Sequence, residues 1–134
     1  MEKSMNVFWK CAVLMLIAGT SGAVYATKWV SLSEASDLSF SVDTDSVIKD
    51  EDGYIGYLTL TTWKEPADPP GATAPVMSAV TRYKMDCNRR QSMAIDARYI
   101  GVDGSPAGVH SYPPNAWTPV APGTVVDAIY SKIC

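Results

Sequence analysis

The chain has 134 residues, 47% of them hydrophobic and 19% charged, and a formal net charge of -3. That balance supplies no positive field to attract a nucleic acid or an anionic membrane surface, so neither is an expected partner. It is equally far from the low-hydrophobicity, high-charge composition of chains that stay disordered.

In chain order, the first feature is an export signal. Lys3 and Lys10 give a basic start, the run from Cys11 to Ala18 is almost wholly apolar, and small residues follow at Gly19, Ser21, Gly22 and Ala23. Val24-Tyr25-Ala26 fits a small-x-small cleavage site, so residues 1–26 read as a signal peptide and the mature chain begins at Thr27. The apolar stretch is shorter than the roughly 18 to 20 residues that cross a bilayer, which disfavours the alternative of an uncleaved anchor. Cys11 follows Phe8-Trp9-Lys10, not a Leu-x-small sequence, so lipidation is not expected and this cysteine leaves with the leader. The expected location is periplasmic or secreted, with no stable membrane anchor after cleavage.

Residues 27–134 are 108 in number, the size of a single domain, and bury only about two-thirds of their unfolded surface, so a covalent staple would help. Two cysteines remain, Cys87 and Cys134, an even number in a compartment that permits disulfides.

Trp29 to Leu32 forms a short apolar run, and Leu38, Phe40 and Val42 alternate with Ser39, Ser41 and Asp43 at the period of a half-buried strand. Asp50-Glu51-Asp52-Gly53 is a turn signal, and Tyr54 to Trp63 is the long strand that follows it. Glu65 to Pro75 holds Pro66, Pro69, Pro70, Gly71 and Pro75, which predicts an exposed loop. Met77, Ala79, Thr81, Tyr83, Met85 and Cys87 then share one face of a strand, which puts Cys87 on the core side. After Asn88-Arg89-Arg90-Gln91, the return strand places Met93, Ile95, Ala97 and Tyr99 on one face.

Gly101 to Pro114 is turn-rich, with a short strand expected around Val109 to Tyr112. Thr124 and Asp127 resemble a capping box with Asp in place of Glu, opening a helix of about 11 residues whose apolar stripe is Val125, Ala128, Ile129 and Ile133. So short a helix must dock on the sheet to be stable. Lying on the core face, it brings Cys134 to Cys87, and a disulfide follows from the geometry. The fold class is therefore α+β: an antiparallel sheet of about five or six strands with one C-terminal helix packed on its face and tied by the Cys87 to Cys134 bond.

Chemistry-bearing groups are sparse. The acidic stretch Asp43, Asp45, Asp50, Glu51 and Asp52 invites a calcium reading, but Gly53 is followed six residues on by Thr59 where an EF-hand needs Glu, so a solvated turn is expected. His110 is the sole histidine, and no Gly-x-Ser-x-Gly turn presents a nucleophile. No enzyme, metal or cofactor is expected. Arg89 and Arg90 at the hairpin tip, Trp63 beside the proline-rich loop and Trp117 among prolines are the candidate binding residues. Solvated arginines at a turn and tryptophans closing the ends of a small core are the bland alternatives.

The ordered set of Trp29-Val30, Val42-Asp43-Thr44-Asp45-Ser46-Val47, Tyr83-Lys84-Met85-Asp86-Cys87 with Arg90, Tyr99 before Gly101, Trp117-Thr118-Pro119-Val120, Pro122-Gly123-Thr124 and Cys134 resembles the surface-adhesin protein E family. The resemblance implies small exported proteins of Gram-negative bacteria that bind host matrix or plasma proteins through an unidentified contact surface. Ser41 departs from it, standing where such proteins tend to carry a tyrosine. The competing expectation is a soluble periplasmic accessory protein that acts on envelope components or another periplasmic protein.

Overall fold

A computed structural model describes residues 28–134; the expected signal peptide and cleavage site lie outside the described residues. Eight strands form one antiparallel sheet: β1 (Trp29–Glu34), β2 (Leu38–Asp43), β3 (Ile48–Lys49), β4 (Ile55–Ala67), β5 (Val76–Asp86), β6 (Gln91–Gly101), β7 (Pro106–Ser111) and β8 (Thr118–Pro119). One helix, α1 (Val125–Ile133), follows. The main path runs β1-β2-β4-β5-β6-β7, while β3 pairs with the start of β4 and β8 with the start of β6. Six strands thus carry the meander, as the alternation predicted, and the two additional strands are only two residues long.

Turn chemistry sets the connections. Asp50 Oδ1 accepts the amides of Asp52 (2.9 Å) and Tyr54 (3.0 Å), and Gly53 takes φ 87°, the left-handed conformation that the Asp-Gly turn needs. β4 runs on through Pro66, beyond the point where the proline-rich loop was expected to begin. Register is irregular between Thr62 and Ala67, so Pro66 sits where no ladder bond is required of its missing N–H.

Two extra residues redirect side chains. Val76 opposes Gly101 and Ser78 opposes Ile100, which leaves Met77 unpaired; Val76, not Met77, is wholly buried. Likewise Arg82 opposes Asp96 and Tyr83 opposes Ala94, so Ile95 is the bulged residue. A bulge shifts the side-chain period by one. Ala97 and Tyr99 face the core as alternation predicted, but Met93 pairs with Lys84 on the opposite face and Ser92 takes the inward position.

Both buried clusters lie on the inner face. Val42, Tyr57, Met85, Val120 and Ile129 form the cluster under the helix, joined by Val125, Val126, Tyr130 and Ile133. Val76, Ala79, Ala97, Tyr99 and Ala107 form the other, under the proline-rich loop, whose Pro70 carbonyl accepts the Tyr99 hydroxyl at 2.8 Å. Gly71 and Gly108 let that loop lie against β7, since a Cβ on Gly108 would run into the Gly71 carbonyl oxygen. The helix is anchored as the sequence suggested: the Thr124 hydroxyl accepts the Asp127 amide at 3.1 Å, and Cys87 is bonded to Cys134 with Cα atoms 5.7 Å apart. Ala128, however, is exposed. Positions 125, 126, 129, 130 and 133 make the docked stripe, turned so that the Tyr130 hydroxyl reaches the Cys87 carbonyl.

Inward tyrosines give the core an alkaline limit. Burial pushes the Tyr57 phenol to about 12, against a hydrogen bond from or to Ser92 that favours ionisation, and burial raises Tyr83 and Tyr99 as well. The unfolded chain ionises these groups near pH 10, so their contribution is fully present below pH 10 and is lost as pH rises toward 12, on the order of 2 kcal/mol for Tyr57. Phenolate absorbance followed together with circular dichroism should show late-ionising tyrosines whose titration coincides with unfolding. Titration of every tyrosine near pH 10 in a still-folded protein would contradict this.

Candidate binding surface

The outer face of the sheet is built by the residues that alternate with the core. Cross-strand rows run Leu58, Arg82, Asp96 and Ser111, then Leu60, Val80, Arg98 and Val109, then Thr62, Ser78, Ile100 and Pro106. None of these is buried, whereas the inner face holds both clusters. Ile48 at 66% and Val109 at 57% exposure stand at opposite margins of this face. Leucine, valine and isoleucine left half-exposed on a sheet face form a patch suited to a protein partner.

Two pairs of charges on it are held in place. Arg82 grips Asp96 with Nε to Oδ1 at 2.9 Å and a second guanidinium nitrogen to Oδ2 at 2.6 Å. The paired guanidinium holds the Asp96 carboxyl below the usual carboxylate range. Lys84 Nζ lies 3.3 Å from Asp50 Oδ2 and over the Tyr54 ring. Between these pairs, a hollow of about 330 Å³ opens among Ile48, Leu58, Ile95 and the stems of Arg82 and Lys84. Gly56, opposite Ile48, leaves its floor without a side chain.

The residues nominated from sequence fall elsewhere. Arg89, Arg90 and Trp117 share the disulfide end of the sheet, but Trp63 is eight residues along β4 from its start, some 25 Å away at strand rise, and packs on the cluster beneath the proline-rich loop. The structure therefore does not bring the two tryptophans together. Trp117 is half-buried against Tyr54, ring centroids 5.0 Å apart. Arg90, at φ 53°, places its guanidinium 3.0 Å from Asp127 and 4.3 Å above the Tyr130 ring, which ties the hairpin tip to the helix. The Gly123 amide and Arg90 lower the Asp127 carboxyl. Arg89 is exposed; its amide caps Asp86 Oδ1 at 3.1 Å. A second hollow of about 410 Å³, lined by Tyr83, Ser92, Tyr112, Pro113, Thr118 and Val126, opens beside Trp117 between the helix and the sheet.

His110 packs edge-on to Tyr112, centroids 4.6 Å apart. Among the described residues no group of three or more His, Cys, Asp or Glu side chains is arranged to hold a metal ion. The sequence reading nominated none of the outer-face residues, although Leu58, Leu60 and Val80 stand there as apolar residues that alternate with the inward Tyr57, Thr59, Ala79 and Thr81.

The fold is a single antiparallel sheet with one face covered by the disulfide-tied helix and the proline-rich loop and the other left open. The chain belongs to the surface-adhesin protein E family, whose sequence model matches residues 29–134. No curated protein and no solved structure gives a significant match. A surface-adhesin family goes with an adhesin-like role and an exported or cell-surface location, and among the described residues no helix is long and apolar enough to cross a membrane.

Proposed function

We propose that the chain is an exported, non-catalytic binding protein of adhesin type that presents the outer face of its sheet to a host matrix or plasma protein. The observation that carries this reading is the unburied apolar face spanning Leu58, Leu60, Val80, Ile100 and Val109, framed by the Arg82–Asp96 and Lys84–Asp50 pairs. Such a face combines apolar area with charges already paired with each other, which suits a protein surface better than a nucleic acid.

The test is solid-phase binding of the processed protein to vitronectin and laminin, with Ile48→Asp and Val109→Asp as surface variants. Both positions are exposed, so stability should change by no more than about 0.5 kcal/mol. Saturable binding at micromolar concentration, weakened about tenfold or more by either variant, is the expected result. No saturable binding to either protein would refute it. The alternative, a periplasmic accessory protein, draws on the sequence context of Cys11, which lacks a lipoprotein signature. Protease treatment of intact cells separates the two, because only a surface protein is shaved.

A further inference from the structure

Arg98 stands on the outer face without a counter-charge. Among the described residues the ion pairs are Arg82 with Asp96, Lys84 with Asp50 and Arg90 with Asp127, and Arg98 belongs to none of them. Its field does reach Asp96, whose carboxyl is lowered first by the Arg82 hydrogen bonds and then by the charges of Arg82 and Arg98. Both Asp96 oxygens are nevertheless taken by Arg82, at 2.9 and 2.6 Å.

The neighbours of Arg98 in the sheet are apolar. Val80 and Val109 are its direct cross-strand partners, Leu60 continues the same row, and Ile100 stands two residues along β6. Arg98 and Val109 are both exposed. The chain as a whole is acidic, yet between Ser78 and Lys84 on β5 and Met93 and Ile100 on β6 the outer face carries Arg82, Lys84 and Arg98 against Asp96. A partner that covers this face strips water from Arg98. A guanidinium buried without a counter-ion is costly, whereas Arg82 and Lys84 enter the contact already paired. A carboxylate brought to Arg98 removes that cost and gains a charge-assisted, two-pronged hydrogen bond. A single free cation in an apolar frame does not suit a polyanion, which draws on several free cations together.

We propose that Arg98 selects the partner: the protein segment that docks on the outer face presents an Asp or Glu to the Arg98 guanidinium and places an apolar side chain in the hollow walled by Ile48, Leu58 and Ile95. Leu58 walls that hollow and Leu60 stands in the Arg98 row, so the two features lie in consecutive rows, about 7 Å apart along the strands. The assignment rests on the outer face being the binding surface and adds the chemistry of what that surface accepts.

The probe is a phage-displayed library of random dodecapeptides selected on the disulfide-bonded protein, with the enriched peptides synthesised and their affinities for wild-type, Arg98→Gln and Ile48→Asp proteins read by fluorescence polarisation. Both substituted positions are exposed, so neither variant should shift the urea midpoint appreciably. Enriched peptides should carry Asp or Glu close to an aliphatic or aromatic residue and bind Arg98→Gln about tenfold more weakly. Replacing that Asp or Glu by Asn or Gln should weaken binding about tenfold to wild-type protein but less than threefold to Arg98→Gln, where the matching charge is already gone. Equal losses in the two proteins, or a selection that yields no peptide weakened by Arg98→Gln, overturn the proposal. If such peptides still lose affinity with Ile48→Asp, the outer face stands as the binding surface and only the role of Arg98 falls; if they ignore both substitutions, the surface falls as well. Heparin binding that Arg98→Gln abolishes would assign the cation to a polyanion and overturn the proposal too.

Discussion

Cys134→Ser is expected to lower the stability of the processed protein by about 2 to 4 kcal/mol, and reduction of the wild-type protein to do the same. The bond joins residues 47 apart, and closing a loop of that length restricts the unfolded chain by about 4 kcal/mol in the entropic account, an upper figure. The folded side points the same way. α1 has nine residues, too few to persist without docking, and Cys134 is its C-cap. Two further ties remain once the bond is cut: the Tyr130 hydroxyl on the Cys87 carbonyl, and Arg90 on Asp127 and over the Tyr130 ring. The variant should therefore stay folded while its last helical turn frays. Urea unfolding with and without reductant measures the loss, and thiol counting under denaturing conditions establishes the bond. An unfolding midpoint indifferent to reductant would mean that the helix is held by something other than this staple.

How far the sequence discloses this molecule varies along the chain. Strand alternation placed Tyr83, Met85 and Cys87 inward and helical spacing placed Ile129 and Ile133 over them, because each pattern is local and strictly periodic. The bulges at Met77 and Ile95 were hidden. Each comes from a mismatch between two strands, and neither carries a glycine or proline to mark it. Before Ile95 the parity of β6 is reversed from the expected one, and Met93 lies on the outer face instead of the core. The cap shows a finer limit. Asp127 stands where Glu completes a capping box, but its shorter side chain bonds the Gly123 amide at 3.0 Å, one residue before the N-cap.

The candidate surface was the least legible part. A strand with apolar residues on both faces reads the same whether both faces are covered or only one, and what decides is where a helix and two loops come to rest. Those contacts join residues far apart in sequence. The tryptophans drew attention for their size, yet size is also what makes a residue useful for closing a core, as Trp63 does beneath the proline-rich loop.

Ile129→Ala is expected to cost about 3 kcal/mol, and its coupling to the disulfide tests whether helix docking is one cooperative event. Ile129 is 1% exposed and sits at the centre of the cluster with Val42, Tyr57, Met85 and Val120, so truncation removes packed methyl groups and leaves a void that the sheet beneath cannot fill. Because the same side chain holds down the element that Cys134 staples, the two losses should not add. With the bond gone, part of the helix is already released, and Ile129→Ala in the Cys134→Ser chain should cost about 1 kcal/mol less than in the disulfide-bonded chain. Val76→Ala is the control: Val76 is equally buried but lies in the cluster beneath the proline-rich loop, so its effect should add to that of Cys134→Ser within about 0.5 kcal/mol. Urea unfolding of the two cycles supplies every value. If Ile129→Ala adds fully to Cys134→Ser, the helix contacts and the staple act independently, and docking is not a single event.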